Sequence, residues 1–143
     1  MPRIDYAAFR VANLDRSVAF YERVLPARVV GREQHTDFWR TELAALRPEG
    51  QDDFTIVLLM PRRARWLLAL FHRFVPRQTR SSEHLGFAVD SMEELEARAA
   101  AARAAGARIE NAIAPLEGRE AWLFEVLDPD GNGIEWGFGK VHD

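Results

Sequence analysis

The chain can be laid over itself at a shift of 78 residues. At that shift Tyr6, Phe9 and Val11 fall on His84, Phe87 and Val89. Leu14-Asp15-Arg16 falls on Met92-Glu93-Glu94, and Ile56-Val57-Leu58 on Ile134-Glu135-Trp136. Identity is low, but apolar and polar character track through the first strand and helix. A self-match of this kind restricts a chain of 143 residues to two copies of one supersecondary unit.

Residue periodicity says what the unit is. Residues 4–11 read as a strand. A helix starts near Asn13, with Leu14, Val18, Tyr21 and Leu25 at helical spacing and Pro26 just past its end. Strands follow at 27–34, 36–44 and 54–60, with turn chemistry in Arg47-Pro-Glu-Gly-Gln-Asp-Asp53. The second half repeats the order. It has a strand at 83–90, a helix at 91–107 and strands at 107–113, 120–127 and 133–138. Ser91 is the candidate N-cap of that helix, acidic residues fill its first turn, and Gly106 stops it. Asp128-Pro-Asp-Gly-Asn-Gly133 is a tight turn between the last two strands. Each half is therefore βαβββ and the fold class is α+β. Between the halves, Trp66, Leu67, Leu70, Phe71 and Phe74 form one stripe of a helix over 62–75, framed by Arg62, Arg63, Arg65 and Arg73. Packing on a sheet or on a partner chain is the expected use of that stripe; a lid or a membrane-surface helix are the alternatives.

Composition excludes several classes. A formal charge of −3 argues against nucleic-acid binding through bulk positive charge. The absence of cysteine excludes disulfides, thiolate metal sites and a cysteine nucleophile, and is consistent with the cytoplasm. No apolar run approaches the roughly 20 residues of a membrane span, and no secretion signal is read at the N-terminus. Nucleotide-binding glycine loops, the nucleophile elbow and the zinc-protease helix motif are missing as well.

Three segments, Phe9–Leu25, Glu83–Ala107 and Phe124–Trp136, resemble the vicinal oxygen chelate superfamily of glyoxalases, bleomycin resistance proteins and extradiol dioxygenases. The Asp-Pro-Asp-Gly-Asn turn followed by Ile134-Glu135 is the most specific of them. The resemblance implies a single domain over 1–143, with module one at about 1–60, a connecting helix at about 61–78 and module two at about 82–139. It implies strands curled into a cup and, in metal-dependent members, one divalent ion such as Zn, Ni, Mn, Fe or Co. The ligand positions of such members fall here on Tyr6, Val57, His84 and Glu135. His84 and Glu135 are thus the expected metal ligands, and Glu135 and Tyr6 the expected catalytic groups. Val57 offers no donor atom, and a phenol with an ordinary pKa near 10 must lose a proton to ligate. The expected site is therefore incomplete.

Two functions follow from the resemblance. One is a metal-dependent lyase, isomerase or dioxygenase acting on a small molecule with vicinal oxygens. The other is a metal-free binder of the bleomycin-resistance type. The residues alone also admit a structural pairing of His84 with Glu135 and a packing role for Tyr6. A small-molecule ligand, a homodimer, no nucleic acid and no membrane are the expected partnerships.

Overall fold

The computed structural model describes residues 4–64, 66–67, 70 and 84–141. The chain divides into two units, Met1–Pro76 and Arg77–Asp143. The first contains β1 (Tyr6–Arg10), α1 (Leu14–Val24), β2 (Ala27–Gln34), β3 (Thr41–Pro48) and β4 (Thr55–Pro61). Its strands form one open sheet in the order β1-β4-β3-β2, with β1 parallel to β4 and the other pairs antiparallel.

Helix α1 starts where Asn13 caps it, accepting from the Arg16 backbone N–H at 3.0 Å. Its buried residues include Leu14, Val18, Phe20, Tyr21 and Val24. They belong to the same core as Phe9, Ala44, Leu46, Ile56, Leu58 and Met60 of the sheet. Every second residue of β4 is buried, so Thr55, Val57, Leu59 and Pro61 are left half-exposed on the opposite, open face.

One local expectation needs correction. The strand expected over 36–44 is interrupted by a turn. Asp37 accepts from both the backbone N–H and the hydroxyl of Thr41, each at 2.9 Å, and Arg40 adopts a φ of 48°. Strand β3 therefore begins at Thr41 and runs to Pro48, into the segment read as a turn. Of the helix expected over 62–75, Arg62–Ala64 form a 3-10 turn, while Trp66, Leu67 and Leu70 are helical and exposed. Phe71 and Phe74 lie outside the described residues.

The second unit contains β5 (His84–Val89), α2 (Met92–Ala104), β6 (Arg108–Pro115), β7 (Ala121–Leu127) and β8 (Gly133–Gly139), in the sheet order β5-β8-β7-β6. Ser91 caps α2 by accepting from the Glu94 N–H at 3.1 Å, while Glu94 accepts from the Asp90 N–H at 3.2 Å. Gly106, at a φ of 72°, closes its C-terminal end. The buried face of α2 is Leu95, Ala99 and Ala102, residues small enough for the helix to lie close on an aromatic layer. In that layer Phe124 and Trp136 stack with centroids 5.7 Å apart, and both are buried. The Arg103 guanidinium lies 5.8 Å from the Phe124 ring centroid.

The repeat is borne out in strand register. Tyr6 pairs with Thr55 as His84 pairs with Gly133, and Ala8 pairs with Val57 as Gly86 pairs with Glu135.

Candidate functional site

The face of the second sheet away from the aromatic core carries a row of polar residues. Gly86, Glu135, Glu125 and Asn111 are successive register partners across β5, β8, β7 and β6. Side chains at such partner positions share a face, so the two carboxylates stand directly opposite each other. His84, two residues before Gly86 on β5, is on the same face and is exposed. Gly86 leaves room for Glu135. A Cβ at that position would stand 3.8 Å from Glu135 Oε1, so the carboxylate reaches over β5, the strand that carries His84.

Glu125 is only 5% exposed. Asn111 Nδ2 donates to Glu125 Oε2 at 2.6 Å, while Oε1 is buried with no hydrogen-bond partner among the described residues. Burial is the main cause that pushes the Glu125 carboxyl above its ordinary pKa. Glu135 and Glu110 push the same way, and the Asn111 hydrogen bond and His84 oppose them. Two opposed carboxylates in a partly buried row do not both ionise without cost. Glu125 is the one driven towards its neutral form, and half-buried Glu135 is the one open to a ligand.

The turn joining β7 to β8 holds this alignment. Asp128 Oδ1 accepts from the backbone N–H groups of Asp130 and Asn132, and Oδ2 accepts from Asn132 Nδ2, all at 2.8 Å. The turn closes with Leu127 opposite Gly133, which places Glu125 opposite Glu135.

The corresponding row of the first unit is Ala8, Val57, Ala45 and Gly31. It contains no side-chain donor or acceptor. Tyr6 takes the place on β1 that His84 takes on β5, and it is 63% exposed. His84 and Glu135 thus stand on adjacent strands of one sheet, whereas Tyr6 and Val57 belong to the other unit's sheet. Glu42 is engaged by Arg62 Nε at 3.0 Å, and exposed His35 lies 3.5 Å from Glu33. His72 is outside the described residues.

Glu125 and Asn111 were not among the residues the sequence singled out. Ala45 and Val57 are twelve residues apart, whereas Glu125 and Glu135 are ten apart. A constant shift of 78 therefore sets Glu125 against Arg47 instead of its register equivalent Ala45. Counting outward from the Asp128 turn would have found the pair. Asn111 was hidden by register shifts on both sides of it in β6.

The family model of the Glyoxalase/Bleomycin resistance protein/Dioxygenase superfamily matches residues 3–136. The chain belongs to this superfamily. Lactoylglutathione lyase of Haemophilus influenzae is 27% identical over 134 residues, covering 94% of this chain and 90% of that protein. A glyoxylase/bleomycin resistance protein/dioxygenase domain from Frankia sp. EAN1pec superposes with a TM-score of 0.75 at 21% identity, over 98% of this chain and 99% of that one. A variant of the fosfomycin resistance protein FosX from Listeria monocytogenes, in complex with Mn(II) and 1S,2S-dihydroxypropylphosphonic acid, has a TM-score of 0.69 at 16% identity. That superposition covers 99% of this chain and 95% of FosX. The two structures share the superfamily fold with this chain.

Among the described residues, no three His, Asp or Glu side chains are grouped so as to hold an ion. Catalytic metal centres generally use three protein ligands. His84 and Glu135 are two, and the first-unit row adds none. Among the described residues, no helix is long and apolar enough to cross a membrane.

Proposed function

We propose that the protein acts on a small molecule held over the polar row of the second unit, with His84 and Glu135 as an acid–base couple and no resident divalent ion required. The reaction class is proton transfer at a carbon beside an oxygen-bearing centre. The observation that supports this most is the opposition of Glu125 and Glu135, with one Glu125 oxygen buried and unpartnered. Such an arrangement favours the neutral form of the inner carboxyl and leaves the outer one facing the ligand. Glu125 is then a positioning residue, and Asn111 fixes its orientation. His84, exposed on the neighbouring strand, is suited to exchange a proton with the substrate's oxygen.

The test is proton exchange. α-Hydroxyketones and α-ketoaldehyde hemithioacetals are incubated with the protein in D2O and EDTA, and loss of the α-proton signal is followed by NMR. Exchange that survives EDTA, is abolished in Glu135→Gln and is reduced in His84→Ala is the expected result. Exchange that requires Mn, Zn, Ni or Fe(II), with near-stoichiometric metal by mass spectrometry that is lost in His84→Ala, overturns the metal-independent reading. Ligand-induced tryptophan fluorescence changes without exchange point instead to sequestration.

The same reading includes a homodimer in the cytoplasm. The exposure of Trp66, Leu67 and Leu70 supports the dimer, because isolated apolar side chains of that size in one stretch favour burial against a partner. Light scattering tests it.

A further inference from the structure

The open face of the first unit carries a second polar row, and it is basic. Arg28 and Arg47 are direct partners across β2 and β3. Tyr6 and Thr55 are direct partners across β1 and β4. Leu46 pairs with Ile56, so one further step of the same antiparallel register sets Arg47 beside Thr55. The row therefore reads Tyr6, Thr55, Arg47, Arg28: two hydroxyls followed by two guanidiniums, all on the face opposite α1.

Two independent features make this row unsatisfied as it stands. Like charges directly opposed across a strand pair repel each other. In addition, Arg47 Nε is buried with no hydrogen-bond partner among the described residues. A buried guanidinium N–H without an acceptor is unfavourable, and an anion placed between the two arginines would offset their repulsion and give the Arg47 guanidinium an acceptor through its terminal N–H groups. We infer that Tyr6, Thr55, Arg47 and Arg28 form a binding site for a small tetrahedral dianion, a phosphate or phosphonate group. The arginines supply charge and paired N–H donors, and the two hydroxyls donate to the remaining oxygens. Arg10 stands on the same face opposite Leu59, four register steps from Tyr6 along β1, and is outside the row.

Inorganic phosphate is the probe. Titration of the full-length protein is followed through arginine Nε–Hε correlations by NMR. The expected result is a saturable shift of the Arg47 resonance, with binding at least tenfold weaker in Arg28→Met and unchanged in Arg10→Met. Methylphosphonate should bind as phosphate does, and acetate more weakly. Arg28 is exposed, so its replacement leaves the core untouched, and the titration of the unaltered protein stands whether or not an Arg47 variant folds. A linear, non-saturating response overturns the inference. So does equal weakening in Arg28→Met and Arg10→Met, which would mark diffuse charge attraction.

Discussion

Replacing Glu125 by Gln should stabilise the protein at neutral pH, although it alters a buried residue of a tightly paired row. The side chain keeps its shape. The amide oxygen can still accept from Asn111 Nδ2, now at 2.6 Å from Glu125 Oε2. The amide NH2 takes the place of the partnerless Oε1 and faces the Glu135 carboxylate across the strand pair. An unsatisfied buried acceptor is removed, which is worth about 1–3 kcal/mol. Repulsion between opposed carboxylates becomes a hydrogen bond, adding roughly 0.2–1 kcal/mol. The expected gain near pH 8 is therefore about 1–3 kcal/mol, given that the row is partly open to water. The gain must also depend on pH with a definite sign. Burial raises the Glu125 pKa in the folded state above its unfolded value. Wild-type stability from this group is fully present below the unfolded pKa and is lost as pH rises through the folded pKa. Gln does not titrate, so the advantage of the variant is largest at high pH and shrinks as Glu125 takes up its proton. Urea unfolding at pH 5 and pH 8, analysed at equal slope, measures the difference. A variant less stable than wild type at pH 8, or one whose advantage is the same at both pH values, refutes the account of Glu125.

Three further substitutions probe the frame around the row. Asp128→Ala removes the acceptor of three 2.8 Å hydrogen bonds in the β7–β8 turn and should cost about 2–4 kcal/mol in chemical denaturation. Ser91→Ala deletes the α2 cap and should cost about 1 kcal/mol, while Ser91→Gly should cost less, read from paired thermal melts. Gly139→Ala should destabilise by more than about 2 kcal/mol, because the backbone sits at a φ of 90° and the new Cβ would collide with the Glu120 carbonyl oxygen. A near-neutral Gly139→Ala melt would show that the β8 terminus relaxes freely.

The sequence and the structure agree best where a side chain answers to its own neighbours. Asn13, Ser91 and Gly106 sit at helix ends as their local chemistry requires, and the alternation in Thr55–Pro61 is dictated by one buried face. Agreement fails where a side chain competes with strand pairing for the backbone. Thr36–Ala44 has strand composition throughout, yet Asp37 draws the chain into a turn by binding Thr41. His84 and Glu135 were legible because the repeat aligns them with Tyr6 and Val57. Glu125 was not, because its register depends on the length of a hairpin that differs between the two halves. Nothing in the linear pattern distinguishes a buried Glu in Phe124-Glu125-Val126 from an exposed one.

That difference in hairpin length also bears on how the two halves diverged in use. The equivalent rows have kept the same backbone registers and opposite chemistry. Ala8, Val57, Ala45 and Gly31 have no group that titrates, while Gly86, Glu135, Glu125 and Asn111 concentrate two carboxyls and an amide. Burying Glu125 is unfavourable in itself, and a Leu or Val there would pack as its neighbours do. A sheet that needed only stability would have used the first unit's solution, which the same fold demonstrably accommodates. On the proposed reading, the unfavourable burial of Glu125 beside Glu135 serves the charge state that the row presents to a ligand. On that reading the acid–base chemistry belongs to the second unit, where His84 and Glu135 stand on adjacent strands.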